Sequence, residues 1–309
     1  MITSASSPRR ACGSAAVSIV GGSKAEVQAR RPERCPHASS FVKAWVSLRR
    51  VGLVIREFDP DPALRSVIIR ASDFQERAET PVRRSEGPML GVVLIVSLGP
   101  DIEVAGERIG SFAAGLWDRP VTSGHFGEQA GYELYLDLLE ARRLLGVPIA
   151  ELANRLVRLD DLFGRFAGEL AEQLAEAGDA AARHAVAQRL LARRLSEGRA
   201  GSPELCHVLG RLRASRGTAR IEALATEVGW SRRHLSDRFR AEVGLAPKTV
   251  ARLVRAEYAA GLLRAGRPLA DVAYAAGYAD QPHFNRDFRE FVGCPPGEFP
   301  FVQDMPVAV

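Results

Sequence analysis

Cysteine is scarce in this chain. Four occur in 309 residues, Cys12, Cys35, Cys206 and Cys294, and none belongs to a Cys-x-x-Cys pair. Cys35-Pro36-His37 and Cys206-His207 each set a thiol near an imidazole. Zinc needs four convergent ligands, and no second pair follows either one. Unpaired thiols in a reducing compartment are the expectation, with no metal and no cofactor. Long apolar runs are missing too. The most apolar stretch, Gly91 to Val96, has the length of a strand, far short of the roughly 20 residues that span a bilayer. The first residues lack the apolar block of a signal peptide, so a cytoplasmic protein with no membrane partner is expected. No Gly-x-x-x-x-Gly-Lys-Ser/Thr phosphate loop occurs.

The balance of charge is mild, at +5 with a pI near 9.3. It permits nucleic-acid binding without requiring it. Residues 1–50 are rich in Ser, Ala, Arg and Gly without a sustained period, which predicts a disordered tail. Translation is expected to begin near Val51 or Val54. From 53 to 136 the signals are for strands: Val67-Ile68-Ile69, Val92 to Val96, Ile102-Glu103-Val104 and Tyr132 to Leu136, with a hairpin turn at Ala105 to Arg108. They predict a small antiparallel sheet or barrel. The period then becomes helical over 138–146, 148–157, 160–177 and 179–197. Asp160 and Asp161 are read as capping the third helix and complementing its dipole. Residues 197–203 have the composition of a linker. The fold class is therefore α+β. A sensor or dimerisation domain is expected over 51–200, an all-α domain over 202–301 and a tail over 302–309.

The all-α segment contains an internal repeat. One copy runs Ala225-Thr226-Glu227-Val228-Gly229-Trp230, then His234 to Arg240, Val243-Gly244 and Pro247. The other runs Ala273-Tyr274-Ala275-Ala276-Gly277-Tyr278, then His283 to Arg289, Val292-Gly293 and Pro296. Each reads as helix, turn, helix. The glycines after the first helix suit a sharp turn with positive φ. Leu235, Phe239 and Val243, and Phe284, Phe288 and Val292, fall on the inner face of the second helices. The 3.6-residue period leaves Arg232, Arg233, Ser236, Asp237 and Arg240 outward in one copy. It leaves Gln281, Pro282, Asn285, Arg286 and Arg289 outward in the other. Arg can fork onto guanine and Asn or Gln onto adenine in a major groove, while flanking arginines hold phosphates. A solvated helix face would look similar in one copy. Two matching copies favour double-stranded DNA. A long helix over Lys248 to Ala265 would space the pair by about one DNA turn, roughly 34 Å. Residues 202–301 hold fifteen Lys and Arg against eleven Asp and Glu, which predicts moderate salt dependence.

Asp271 to Arg289, continuing to Gly293-Cys294-Pro295-Pro296-Gly297-Glu298-Phe299, resembles the signature of the AraC/XylS family of bacterial transcription regulators. The resemblance spans about 205–301. It implies a seven-helix DNA-binding domain with base contacts from Arg233, Ser236 and Asp237, then Gln281, Pro282, Asn285 and Arg286. Arg232, Arg240 and Arg289 would contact phosphate. Asp237 departs from the basic or amide residue expected there. Gly110 to Leu116 and Ala141 to Leu152 resemble the sensor region of actinobacterial members. Such regions bind small effectors, dimerise, or do both. A small effector, RNA polymerase and a second copy of the chain are thus further candidate partners.

Two rivals remain at this stage. An enzyme would need clustered thiolates or several ligands on neighbouring strands, and the strand region holds only His125, read as a lone polar or surface histidine. A protein-binding module would have no need of two arginine- and amide-bearing faces. An apolar cavity is expected inside the sheet, with Phe112, Trp117, Tyr132 and Tyr135 as nominal liners.

Overall fold

The computed structural model describes residues 52–195 and 201–299, and the backbone of 305–306. The expected N-terminal tail and most of the linker lie outside the described residues. Two long strands organise the first half, β2 (Ile68–Glu86) and β7 (Val121–Leu136). They pair antiparallel from Ile68 opposite Leu136 to Glu86 opposite Val121. Their register slips between Ala78 and Val82. Pro81 sits in that gap, where its missing N–H cannot break a ladder bond. Around them the path is β1 (Val54–Phe58), β2, β7, β3 (Val92–Ser97), β6 (Phe112–Ala114) and β8 (Leu156–Arg158). The hairpin of β4 (Ile102–Val104) and β5 (Glu107–Ile109) joins the lower part of β7. Its two-residue turn is Ala105-Gly106, both at positive φ, as a tight hairpin demands. A short β9 (Met305–Pro306) pairs with β2 at Val82 and Arg83.

Alternation along the strands divides the sheet into two faces. Val92, Leu94, Val96, Ala113, Leu134 and Leu136 belong to one large core shared with the helices. Phe112, Ala114, Val104, Ile109 and Val121 form a second, smaller cluster on the other face, with Ile95, Trp117 and Leu156 against it. The first face is covered by α1 (Ala141–Leu145), α2 (Leu159–Phe163), α3 (Arg165–Glu176) and α4 (Ala180–Leu195). Arg183 of α4 grips Asp73 of β2 through two hydrogen bonds, 2.6 and 3.3 Å. The apolar face of α3, Ala167, Leu170 and Leu174, is buried within the chain.

Three helical expectations are corrected. Residues 148–157 give only a 3-10 turn at Ile149–Leu152, after which the chain reverses at Asn154 (φ 56°) and enters β8. The run 160–177 is broken by Gly164, whose positive φ splits it into α2 and α3. Asp160 and Asp161 therefore lie in the first turn of α2, where they face the helix dipole but cap nothing.

The second half is helical: α5 (Pro203–Ala214), α6 (Ile221–Glu227), α7 (Arg232–Val243), α8 (Pro247–Arg264), α9 (Leu269–Ala275) and α10 (Gln281–Val292). It shares the large core with the sheet half and is tied to it by specific polar contacts. Leu90, in the β2–β3 loop, donates its N–H to Glu257 of α8 (3.1 Å) and its carbonyl accepts from Arg213 of α5 (3.2 Å). The Arg213 guanidinium also pairs with Asp137 at 2.6 Å.

Candidate nucleic-acid interface

The repeat seen in the sequence is a repeat of backbone geometry. Gly229 follows α6 at φ 71° and Gly277 follows α9 at φ 74°, a region other residues enter at a cost of about 1–2 kcal/mol. Each turn is closed by the same bond, Trp230 N–H to the Ala225 carbonyl (2.9 Å) and Tyr278 N–H to the Ala273 carbonyl (3.1 Å). The aromatic side chain then meets the next histidine edge-on, Trp230 with His234 and Tyr278 with His283, at 4.7 and 5.3 Å. Ser231 caps α7 by accepting the His234 N–H, and Asp280 caps α10 by accepting the His283 N–H. Both helices are 12 residues long and both stop at a left-handed glycine, Gly244 and Gly293. The extra residue of the second copy is absorbed before its cap, so the two second helices are equivalent in frame.

Their inner faces are the expected ones. Leu235, Phe239, Val243, Phe284, Phe288 and Val292 are all buried. Their outer faces present the predicted readers. Arg232, Arg233, Asp237 and Arg240 are exposed and Ser236 is half-buried. Gln281, Pro282, Arg286 and Arg289 are exposed and Asn285 is half-buried. Arg233 is 93% exposed and stands 3.9 Å from Asp237, one turn on. The unexpected acid thus neighbours an arginine of its own helix. At such exposure this pair adds little to stability, and its consequence is orientation of Arg233. Asn285 keeps a carbonyl oxygen buried and without a partner.

One structural group went unnoticed in the sequence. Asp287 is 3% exposed, and Arg252 of α8 donates to it at 2.9 and 3.2 Å. Arg255 and His283 lie 3.7 Å away. This carboxylate fastens α10 to the connecting helix. Its counterpart in the first copy, Arg238, pairs instead with Glu242 at 2.7 Å. The reversal of charge between copies was the available signal.

The second face of the sheet borders a cavity of about 300 Å³. Phe112, Trp117 and Tyr135 line it as expected. Tyr132 does not, because alternation turns it to the helix side, where its hydroxyl lies 2.6 Å from Nδ1 of His184. The wall is mainly apolar, as expected, with charged side chains set into it. Ile95, Phe112, Ala114, Trp117 and Leu156 make one part. Inward-facing residues of β2 and β7 make another: Arg70 pairs with Glu133 (2.6 Å), and Arg84 with Glu76 (2.9 Å). His125 is not a surface histidine. Its ring is 7% exposed, with Nε2 2.9 Å from Glu76. Burial pushes the Glu76 carboxyl up, but the His125 and Arg84 contacts outweigh it and hold the pKa at about 2. Glu257, Gly261 and Arg264 of α8, with Phe291 of α10, complete the wall, so the cavity touches the helix that joins the two repeat units.

A family model described as a helix-turn-helix domain matches residues 224–300. No curated protein matches the chain. Among solved structures, the chain is similar to ToxT from Vibrio cholerae with an unsaturated fatty acid bound, at 11% identity and a TM-score of 0.46, over 75% of this chain and 95% of that one. It is similar to a probable AraC family transcriptional regulator from Rhodopseudomonas palustris, at 28% identity and a TM-score of 0.30, over 32% of this chain and 96% of that one. An AraC-type DNA-binding regulator from Chromobacterium violaceum gives 24% identity and a TM-score of 0.31, over 34% and 95%. Residues 224–300 thus hold a helix-turn-helix domain of the AraC type, present here as two units.

Proposed function

We propose that this regulator reads its operator with α7 and α10 in two successive major-groove segments of one duplex. Arg233, Ser236 and Asp237, and Gln281, Pro282, Asn285 and Arg286, face the bases. Arg232, Arg240 and Arg289 hold phosphates and set register. The observation that carries this reading is the duplication itself: two capped helices of equal length, equivalent in frame, each with its polar face open to solvent. A solvated surface has no need to repeat. The 18 residues of α8 span about 27 Å at helical rise, which suits a spacer between neighbouring groove segments.

The sheet cavity is the effector site in this reading. It is concave, it has both apolar and polar walls, and one wall is α8. A bound molecule would therefore act on the spacer between the reading helices without an intervening relay. The regulator acts in the cytoplasm, on the nucleoid. Anisotropy titration of the full chain with labelled DNA from upstream of its own coding region tests the reading. Specific binding is expected to weaken when bases under either helix are scrambled. Indifference to scrambling under one helix would reduce the mode to a single reading unit.

A further inference from the structure

Each reading helix ends on a glycine, and each of those glycines is packed against the sheet half. A left-handed helix stop accounts for Gly244 and Gly293 being glycines. It does not account for what lies against them. A Cβ on Gly244 would come within 2.3 Å of the Ala153 Cβ and 3.2 Å of the Ala150 carbonyl oxygen, at the 3-10 turn of Ile149–Leu152 and its cap. A Cβ on Gly293 would come within 3.1 Å of the Pro120 ring. Polar contacts back both seats. Arg142 of α1 stands 3.9 Å from Glu242 of α7, and the Ser85 hydroxyl donates to the Val292 carbonyl at the end of α10 (2.9 Å). One short loop, Gly115 to Pro120 between β6 and β7, joins the two seats. Its Gly115 N–H donates to the Leu152 carbonyl (3.2 Å), and its Leu116 carbonyl accepts from the Asn154 N–H (2.9 Å). Its last residue, Pro120, is the second seat itself. Gly115, Trp117 and Arg119 of the same loop line the cavity.

We propose that Ala153, Ser85 and Pro120 are positioning residues for DNA reading: they seat the C-terminal ends of α7 and α10 on one loop, so that the sheet half, together with α8, fixes the operator spacing the protein accepts. The inference rests on the reading of DNA by both helices and adds what holds them in register. Glycine lets a helix end approach its seat with no side chain between. A close-packed contact then transmits a displacement instead of absorbing it. One added base pair moves the second groove segment by about 3.4 Å and turns it by about 34°. Two helices joined only through α8 could follow that change at the turn between α7 and α8, Gly244 to Ala246. Gly244 belongs to that turn, so its seat removes this freedom. Helices seated on one loop cannot follow the change without leaving a seat.

Anisotropy titrations of the full chain test this on the upstream duplex that carries both segments, and on the same duplex with one base pair inserted or removed between them. The unaltered protein is expected to lose at least roughly tenfold in affinity on either change. Ala153→Leu, which forces a larger side chain against Gly244, should shrink that penalty several-fold, and Ser85→Ala should shrink it less. Ser85→Thr keeps the hydroxyl and should keep the full penalty. A merely less stable variant binds all three duplexes less well in the same proportion, so the ratio between duplexes separates positioning from folding. An unaltered protein indifferent to spacing overturns the two-helix reading and the seats with it. An unaltered protein that demands one spacing, with Ala153→Leu and Ser85→Ala equally demanding, overturns the seats alone. Tighter binding of the native spacing by either variant also overturns them, because the seats would then withhold the helices from DNA.

Discussion

Replacing Glu257 by Gln should stabilise the protein above neutral pH, although it removes a charge and keeps every contact. Burial pushes the Glu257 carboxyl from its ordinary 4.5 up to about 7, against the smaller downward pull of the Leu90 N–H, Arg213 and Arg264. A carboxyl whose pKa rises on folding favours the folded state while it is protonated. That advantage is complete below the unfolded pKa and is lost as pH rises through the folded one. One pKa unit is about 1.4 kcal/mol, so ionised Glu257 costs the fold on the order of 3 kcal/mol in full burial. Glu257 is half-buried and faces the cavity, so water there screens part of the cost. A gain of about 1–2 kcal/mol is expected for Glu257→Gln well above pH 7. The amide carbonyl still accepts from Leu90, so the joint to the sheet half survives. Urea unfolding of the two proteins, at mildly acidic and at alkaline pH, isolates the effect, because other groups titrate alike in both. The difference should be near zero below pH 4.5 and grow through pH 7. A pH-independent difference, or a variant less stable at alkaline pH, would refute the assignment of an uncompensated buried carboxylate.

Arg286→Ala should lower operator affinity by about 1–3 kcal/mol and relax discrimination at one base position, read by anisotropy on a panel of single-base variants. Uniform weakening on unrelated DNA would make Arg286 a phosphate contact. Phe288→Ala should cost about 3–5 kcal/mol of stability by thermal unfolding, since its ring is fully buried against Phe284 and Phe299. An unchanged midpoint would contradict its place in the core. Gly277→Ala should cost about 1–2 kcal/mol from φ 74° alone, and a Cβ there would also come within 2.6 Å of the Thr218 methyl. Glu76 runs opposite to Glu257. Its depressed pKa contributes stability above 4.5 that is lost as pH falls towards 2, so Glu76→Gln should flatten the acid limb of the stability curve.

The helical half was legible because its signals are local. Gly229, Gly277, Gly244 and Gly293 mark turns by backbone conformation, and the spacing of Leu235, Phe239 and Val243 fixes a face without reference to distant residues. Repetition then supplied the second test that one motif lacks. The sheet half was legible only in part. Val92 to Val96 announces a strand through β-branching, but β2 runs for 19 residues through Arg77, Glu79, Arg83 and Arg84, a stretch with no strand composition. It is a strand because β7 pairs with it, a long-range fact. Residues 148–157 failed for a related reason: Ile149 and Leu152 do lie on one face, but Asn154 reverses the chain after one turn.

The cavity was the least legible feature, and its chemistry explains why. Charged residues within a strand read as solvent-facing, so Arg70, Glu76, Arg84, His125 and Glu133 carry no sequence signature of an interior. They face inward because the opposite side of the same strands is taken by the larger core, Ala71, Tyr132 and Leu134 among it. Alternation leaves them no other place. Once there, each charge needs a partner or a cost, since a buried carboxylate alone loses its hydration. Glu76 and Glu133 have partners in neighbouring strands and belong to the architecture. Glu86 and Glu257 come from two different halves of the chain and accept from neutral donors, the Ser123 hydroxyl and the Leu90 N–H. Carboxylates whose burial raises their pKa, placed where the sheet meets the spacer of the reading helices, are a cost that stability alone would remove.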